Sequence, residues 1–402
     1  EVRTVSAGRA RAESLWKTTV AAVVKWPSNT ARSAGFLMRV QRLQLGRFRR
    51  FSTAQWLPAP GLNLLTGDNG AGKTSLLEAL HLLSYGRSFR GRVRDGLIQQ
   101  GSAELEVFAQ WTLLDAAGQG SEHRAGLRHS GQQWSARLDG NDVAQLGHLC
   151  AALAVVTFEP GSHVLISGGG EPRRRFLDWG LFHVEPGFTP LWRRYSRALK
   201  QRNALLKQGA SRASLEAWDH ELAAAGEPLT AARLNYLARL QEQVLPIARH
   251  IAPSLQIAGM HFQPGWKRHE VSLADALLLA QERDRSQGFT SVGPHRADWE
   301  VEYVHLAGRE ALSRGQAKLT ALSCLLAQAA DFAQERHHWP VLCLDDLGSE
   351  LDRPHQGRIL DFLQQTDAQV MITATEIPPA FVGRQIAVFH VEHEGAVTPR
   401  EG

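Results

Sequence analysis

The chain has 402 residues, of which 43% are hydrophobic and 21% carry a charged side chain. This composition excludes a disordered protein and allows one large hydrophobic core or two moderate ones. The formal net charge is +5, but residues 1–37 hold six basic and two acidic side chains, a net +4, which leaves +1 for the rest. A global charge argument for nucleic-acid binding therefore fails, and any DNA-binding surface must be local.

Residues 1–37 also differ from the rest in composition, because they are rich in Ala, Ser, Thr and Arg. They fit either a transit peptide or a disordered or wrongly assigned extension. We favour the extension, since Met38 opens an alternating pattern typical of a strand. The folded part is therefore expected to begin at Met38.

The phosphate loop is the first chemical motif along the chain. In "GDNGAGKTSLLEALHLL", residues 67–83, the spacing G-x-x-x-x-G-K-[ST] predicts backbone N–H groups that surround phosphates. "GLNLLTG" predicts a buried strand before the loop, and "TSLLEALHLLSY" predicts a buried helix after it, so a chance glycine-rich turn is disfavoured. The predicted nucleotide-binding residues are Gly67, Asp68, Asn69, Gly70, Ala71, Gly72, Lys73 and Thr74.

Two of these side chains have specific expected roles. Lys73 should reach the β and γ oxygens of the nucleotide, and the Thr74 hydroxyl is placed to bind Mg²⁺. Kinases, motors, GTPases and transporters all use such a loop, so the loop does not identify the function.

Three groups of basic residues are candidates for a DNA-binding surface, since guanidinium groups match phosphate oxygens without reading sequence. The alternative is a solvated helix face or internal ion pairs. We expect one group to face DNA. The first group is Arg87, Arg90, Arg92 and Arg94; the second is Arg173, Arg174 and Arg175; the third is Arg193, Arg194, Arg197, Lys200 and Arg202.

A Leu-, Ala-, Arg- and Gln-rich stretch covers residues 188–252. It predicts two or three helices that are broken at Gly209 and at residues 226–228. The long heptad repeats of a condensin-like coiled coil are absent from the sequence, so the arm is expected to be short and globular.

A second anion-binding feature is predicted at "LSRGQ", residues 312–316, where Ser313, Gly315 and Gln316 open a long helix. Then "PVLCLDDLGSELD" predicts an apolar strand that ends in Asp345 and Asp346. The first acid can hold Mg²⁺, and the second can orient or deprotonate the attacking water, so Lys73, Asp345 and Asp346 are the predicted catalytic residues.

The interval from Lys73 to Asp345 is 272 residues, more than the compact sheet of a small kinase or GTPase needs. No apolar run approaches the roughly 18 residues that cross a bilayer. The three cysteines, at positions 150, 324 and 343, form no C-x-x-C pair. They are typical of buried residues in a reducing compartment, so we expect a cytoplasmic protein without a membrane partner.

Together these motifs resemble the phosphate loop, signature, Walker B strand and D-loop ("SELD") of an ATP-binding-cassette (ABC) ATPase. The finer details resemble the RecF family of bacterial recombination proteins, from Met38 to about Val391. The residues that carry this resemblance are "GRFRRF", "YGRSFR", "FEPGSHVLISGGGEPRRRFLD", "GPHRAD" and "DD" at 345–346.

The resemblance implies an α/β fold, a P-loop ABC-type ATPase head with a short, mainly helical second lobe. Residues 38–187 and 291–402 would form the head, and residues 188–290 the helical lobe. It further implies that ATP and Mg²⁺ on one protomer are capped by Ser313 and Gly315 of a second, so that nucleotide controls dimerisation. The expected function is to bind DNA at single-stranded gaps and to help load recombinase there with RecR and RecO, in repair, replication and the SOS response. Weak DNA-stimulated ATPase activity is expected.

Two departures from transporter heads bear on the alternatives. Thr375 or Glu376 stands where transporters have a γ-phosphate-sensing histidine, and Arg314 replaces the middle glycine of L-S-G-G-Q. The ATP-hydrolysing subunit of an ABC transporter is the alternative function, although it predicts a shorter interval between the anchors. A nucleotide kinase would need a lid and an acceptor motif that the sequence does not show.

Overall fold

The computed structural model of the chain describes residues 36–91, 96–115, 117–306, 308–392 and 395–400. The predicted extension, apart from its last two residues, lies outside these ranges. So do Arg92 and Arg94, two of the candidate DNA-binding residues.

Runs of strands and runs of helices follow one another along the described chain. The strands are β1 Leu37–Phe48, β2 Phe51–Trp56, β3 Leu62–Thr66, β4 Leu105–Leu114, β5 Gly120–His129, β6 Trp134–Leu138, β7 Asn141–Asp142, β8 Val155–Phe158, β9 Ile257–Gln263, β10 Asp298–Tyr303, β11 Val341–Leu344, β12 Val370–Thr373, β13 Ala387–Val391 and β14 Val397–Arg400. The helices are α1 Lys73–Tyr85, α2 Leu146–Ala152, α3 Val164–Ser167, α4 Gly170–Val184, α5 Phe188–Lys207, α6 Arg212–Ile251, α7 Leu273–Gln287, α8 Arg314–Arg336, α9 Leu347–Glu350 and α10 Arg353–Gln364.

A mostly parallel sheet positions the predicted nucleotide site. Its strand order is β14-β13-β3-β12-β11-β8, and the pairs β13-β3, β3-β12, β12-β11 and β11-β8 are parallel. Strands β8, β11 and β12 are buried at every position, as expected for a sheet covered on both faces. The carboxyl ends of β3, β11 and β12 lie side by side, so the loops that follow them meet at one edge.

The second large sheet is antiparallel, with the order β2-β1-β4-β5-β6-β7. Helix α1 packs between the two sheets, because its leucines share one core with strands from both. Leu76, Leu77, Leu80 and Leu83 are each 0% exposed. The predicted strand, loop and buried helix are confirmed, as is the mixed α/β class.

The helices α5, α6 and α7 pack together beside the parallel sheet, and α6 also packs on α8. The predicted break at Gly209 is confirmed, since α5 ends at Lys207 and Gly209 has a φ of 66°. The predicted break at residues 226–228 is wrong, because α6 runs through them for 40 residues.

Tertiary contacts explain why α6 does not break there. A Cβ atom at Gly226 would lie 2.4 Å from Cδ2 of Leu273, so the helix surface packs directly on α7. The neighbouring Glu227 carboxylate accepts the backbone N–H of Leu273 at 2.8 Å. These contacts offset the hydrogen bond that Pro228 cannot donate within the helix.

Burial of the cysteines agrees with the sequence, since all three are buried and free. Across the described residues, no helix combines the length and apolarity that a bilayer crossing needs.

A buried ion cluster ties the three helices together. Arg202 of α5 is 0% exposed and donates to Asp284 of α7 at 2.7 Å and to Thr290 at 2.9 Å, while its Nε donates to Asp219 of α6. For Arg202, a member of the third candidate group, the alternative of an internal ion pair therefore holds, because its charge is neutralised inside the protein.

We expect Arg202→Met to destabilise the protein by about 3–5 kcal/mol, because Asp284 would remain buried without its partner. Urea unfolding at pH 7 measures the change. Arg194→Met is the matched control, since Arg194 lies on the same helix in an exposed pair with Glu221. Equal shifts of the two unfolding midpoints would show that the buried cluster has no special role.

Candidate nucleotide-binding site

The phosphate loop needs glycine at two positions for steric reasons. Gly72 has a φ of 110°, and a Cβ there would lie 2.1 Å from Cζ of Phe51. Gly67 has a φ of 139°, and its Cβ would lie 2.6 Å from the carbonyl oxygen of Val391. Strands β2 and β13 thus press the loop into the tight curve that a phosphate chain requires.

The Lys73 ammonium is held by the loop itself. It donates to the carbonyl oxygens of Gly67 at 2.6 Å and Asp68 at 2.9 Å, and the residue is 8% exposed. Burial lowers the pKa of Lys73, whereas the nearby carboxylates of Asp346 and Asp345 raise it. The ammonium therefore lies beside the acids and the loop, where the β and γ oxygens of a nucleotide would bind.

The two predicted metal ligands are in direct contact although 271 residues separate them. The Thr74 hydroxyl donates to Oδ1 of Asp345 at 2.8 Å, and Asp345 is 2% exposed. Burial raises the pKa of Asp345, and hydrogen bonds from Thr373 and Thr74 oppose the rise. A hydroxyl and a carboxylate are hard oxygen donors of the kind that Mg²⁺ prefers, so this pair fits the metal.

Asp346 follows in a backbone conformation that is rare for a residue with a side chain. Its φ is 55°, its N–H donates to the Thr373 hydroxyl at 2.8 Å, and its carboxylate accepts the Ser349 hydroxyl. Such local strain is typical of functional positions. The turn directs the second acid away from the strand and into the cleft.

Thr373, at the end of β12, orients both acids, and the sequence reasoning missed it. Its single hydroxyl donates to Asp345 at 2.7 Å and accepts from the Asp346 backbone at 2.8 Å. The sequence feature that could have indicated Thr373 is its place as a polar residue at the end of the apolar run "QVMIT".

We expect Thr373→Val to reduce ATP hydrolysis about 10²-fold while ATP affinity changes little, because the acids would lose their alignment but the loop would not. Thr373→Ser keeps the hydroxyl and should restore most of the rate. Steady-state hydrolysis and equilibrium ATP binding separate the two effects. A serine variant as slow as the valine variant would contradict this role.

A cleft of about 580 Å³ joins these groups. Its lining includes Asn69, Gly70, Gly72, Lys73, Thr74, Asp345, Asp346 and Thr373, together with Arg49, Arg50, Arg90 and Thr375. A larger groove of about 910 Å³ lies on the outer face of the antiparallel sheet and carries none of the predicted site residues. The smaller cleft is therefore the candidate site.

The turn between β1 and β2 supplies two arginines whose place in the cleft the sequence did not reveal. Arg49 pairs with Glu78 of α1 at 2.7 Å, and Arg50 donates to the carbonyl oxygen of Gly70 in the loop. The turn is thereby fixed to both the loop and the helix behind it.

The two alternatives for the γ-phosphate sensor are placed differently. Thr375 lines the cleft, and its carbonyl oxygen accepts the Gly67 N–H at 3.3 Å. Glu376 is exposed and does not line the cleft. Thr375 has the better position, and its sensing role stays a prediction.

Glu159 directly follows Phe158, whose carbonyl oxygen accepts the Asp345 N–H at 2.8 Å, so Glu159 adds a third carboxylate close to Asp345. It accepts the N–H of Gly161 at 2.5 Å. Burial is the largest effect and raises the pKa of Glu159. The hydrogen bond from Gly161 lowers this pKa, and the charge of Asp345 raises it by a smaller amount. In the sequence, Glu159 stands out only as part of the family motif at residues 158–178.

The signature segment opens α8 as predicted. Ser313 is the N-cap, its hydroxyl accepts the Gln316 N–H at 3.2 Å, and the Gln316 side chain accepts the Ser313 N–H at 2.8 Å. Ser313 and Gly315 are exposed. Neither residue, nor Gln316, is among the described residues that line the cleft of the same chain.

Four of the remaining basic candidates fall in three environments. Arg90 lines the nucleotide cleft, whereas Arg87 and Arg175 are exposed. Arg173 is 1% exposed and pairs with Asp298 at 2.5 Å, so the alternative of an internal ion pair holds for it. Its guanidinium also donates to three backbone carbonyls and so supports the fold.

Comparison with known proteins gives consistent matches. The family model described as RecF/RecN/SMC N terminal domain matches residues 39–394. The DNA replication and repair protein RecF of Xanthomonas euvesicatoria pv. vesicatoria (strain 85-10) is 69% identical over 358 residues, which cover 89% of this chain and 97% of that protein. Its namesake from Stenotrophomonas maltophilia (strain R551-3) is 66% identical over 357 residues, with 89% and 98% covered.

Solved structures with a similar fold agree with these sequence matches. The recombination mediator protein RecF with ATP, from the RecFOR pathway, is 25% identical with a TM-score of 0.79, covering 92% of this chain and 99% of that chain. An Smc head domain from Pyrococcus furiosus is 14% identical with a TM-score of 0.55, covering 90% and 96%, a likeness of fold alone. These matches give no support to the transporter alternative.

Proposed function

This chain belongs to the RecF family, and on that premise we propose that it is an ATP-controlled DNA-binding protein of replication and gap repair. The related proteins are named for DNA replication and repair, and a solved relative is titled as part of the RecFOR pathway. We therefore expect it to act in the cytoplasm with RecR and RecO at single-stranded gaps, and in the SOS response.

The observation that carries this proposal is the separation of the two anion-binding features. Lys73, Thr74, Asp345 and Asp346 share one cleft, whereas the exposed start of α8 at Ser313 does not line it. Each chain thus offers a nucleotide site and, elsewhere on its surface, an uncovered helix N-terminus suited to an anion. A second copy can bring the two together around ATP.

The proposed reaction follows from the contacts in the cleft. The phosphate-loop N–H groups and Lys73 bind the phosphates. Thr74 and Asp345 would hold Mg²⁺, which would supply positive charge to offset that of the phosphates. Asp346 orients or deprotonates the attacking water. Ser313 and Gly315 of the second copy complete the γ-phosphate site, so hydrolysis reverses dimerisation.

The test is ATP-dependent binding to a gapped duplex, measured by fluorescence anisotropy beside a continuous duplex of equal length. ATP with Mg²⁺ should strengthen binding to the gapped DNA more than ADP does. Lys73→Ala should abolish that difference but keep the nucleotide-independent binding. Equal binding with ATP, ADP or no nucleotide would contradict control by ATP.

A further inference from the structure

Phe289 and Arg296 form an exposed stacked pair beside the helical lobe. The Arg296 guanidinium lies 5.3 Å from the centre of the Phe289 ring, and Phe289 is 38% exposed. Arg296 is exposed, and within the described ranges no carboxylate lies within ion-pair distance of it. Burial and ion pairing therefore do not explain the pair.

The other stacked arginine in the described chain shows the contrast. Arg239 lies over Tyr236, which is 1% exposed, and pairs with Asp331 at 2.6 Å. That pair supports the fold. The Phe289–Arg296 pair has neither the burial nor the acid, so the exposed part of the ring and the charge remain available to a ligand.

The residues next to Phe289 and Arg296 are held by hydrogen bonds. His295 accepts the Tyr195 hydroxyl at 2.7 Å through Nδ1 and donates through Nε2 to the carbonyl oxygen of Thr290 at 2.9 Å. Thr290 is 1% exposed and is anchored to Asn203 at 2.8 Å. Each member of the pair therefore adjoins a residue that is held by hydrogen bonds, and little conformational freedom must be lost when a ligand binds.

Other arginines continue from this pair along the surface. Arg174 donates to the carbonyl oxygen of Ala297 at 2.8 Å, next to Arg296, and Arg175 follows it on α4. Tyr85, two residues before Arg87, stacks on Trp179 of α4 with the ring centres 5.9 Å apart, which brings the segment that carries Arg87 beside that helix. We call Arg87, Arg174, Arg175 and Arg296 the arginine ribbon.

The ribbon carries more positive charge than nearby acids neutralise. Glu171 pairs with Arg175, and Asp298 is occupied by Arg173. Arg87, Arg174 and Arg296 have no carboxylate within ion-pair distance in the described part of the chain. A polyanionic strand is the partner that this spacing of charges fits.

We propose that the arginine ribbon binds the phosphates of a DNA strand and that Phe289, with Arg296, stacks an unpaired base where the strand leaves the duplex. The inference rests on the proposed DNA binding and deepens it by naming the part of the DNA recognised. Unpaired bases offer their faces to an aromatic ring, whereas bases within a duplex are already stacked. The site would therefore distinguish a gap edge from continuous duplex.

The test compares Phe289→Ala, Arg296→Ala and Phe289→Trp on a gapped duplex and a blunt duplex of equal length, with ATP and Mg²⁺. Phe289→Ala should weaken binding to gapped DNA about 10-fold and change blunt-duplex binding less than about twofold. Phe289→Trp keeps a stacking ring and should bind as the wild type does. The matched control is Trp192→Ala, since Trp192 is 42% exposed beside Arg193 but lies outside the ribbon.

A fluorescent adenine analogue at the first unpaired position reports stacking directly. Its emission should be quenched by the wild type and by Phe289→Trp, and not by Phe289→Ala. Unchanged gapped-DNA affinity and quenching in Phe289→Ala, or equal losses on both DNAs, would overturn the stacking site. A wild type that binds neither DNA would instead contradict the proposed function.

Discussion

Mixing Lys73→Ala with Ser313→Arg should restore ATP hydrolysis that neither variant shows alone. Lys73→Ala loses the ammonium that lies beside the phosphate loop. Ser313→Arg places bulk and charge at the exposed start of α8, away from its own cleft. In a mixed dimer, the Ser313→Arg chain supplies an intact Lys73 that faces the intact Ser313 of the other chain.

The size of the recovery follows from pairing statistics. Half of the randomly paired dimers are mixed, and each mixed dimer contains one complete site out of two. Recovery should therefore reach at most about a quarter of the wild-type rate. The rate should rise with total protein concentration as dimers form. DNA-stimulated phosphate release from a 1:1 mixture is the measurement.

The matched control mixes Lys73→Ala with Asp346→Asn. Lys73 and Asp346 line the same cleft of one chain, so every site in that mixed dimer carries one of the two defects. This mixture should remain inactive. Recovery in the control, or activity of Ser313→Arg alone, would show that Ser313 does not act across the dimer.

Asp346→Asn should slow ATP hydrolysis about 10³-fold and leave ATP binding intact. The amide keeps the size of the side chain, but it cannot accept a proton from water, and general bases contribute 10²-fold to 10⁴-fold. The backbone N–H of residue 346 would still donate to Thr373, so the turn should persist. The variant should accumulate as an ATP-bound dimer on DNA.

Asp345→Asn should behave differently, because Asp345 contacts Thr74 at the metal position. It should weaken the Mg²⁺ dependence of ATP binding as well as the rate. Nucleotide affinity titrated against Mg²⁺, together with single-turnover hydrolysis, separates the two variants. Equal loss of Mg²⁺-dependent affinity in both would contradict the separate roles of the acids.

The elements that sequence predicted well are encoded in contiguous residues. The loop from Gly67 to Thr74, helix α1 and the capped start of α8 each depend on spacing within about 20 residues, and helix caps and glycine turns are local effects. The strand before Asp345 is likewise visible as an apolar run.

What sequence missed depends on distant partners. The sequence does not show that Arg173 pairs with Asp298 or that Arg202 pairs with Asp284, because each acid is brought to its arginine only by the fold. Helix α6 continues past Pro228 because α7 packs on it, a contact that local propensity does not contain. Thr373 orients the acids only once β12 lies beside β11.

The mass of the protein on a gapped duplex, with and without ATP, tests the ATP-controlled dimer most directly. Analytical ultracentrifugation with Mg²⁺ should give one complex of two chains per gap with ATP, mainly single chains with ADP, and single chains with Ser313→Arg even when ATP is bound. One chain per gap for the wild type with ATP, or two chains regardless of nucleotide, would contradict the account.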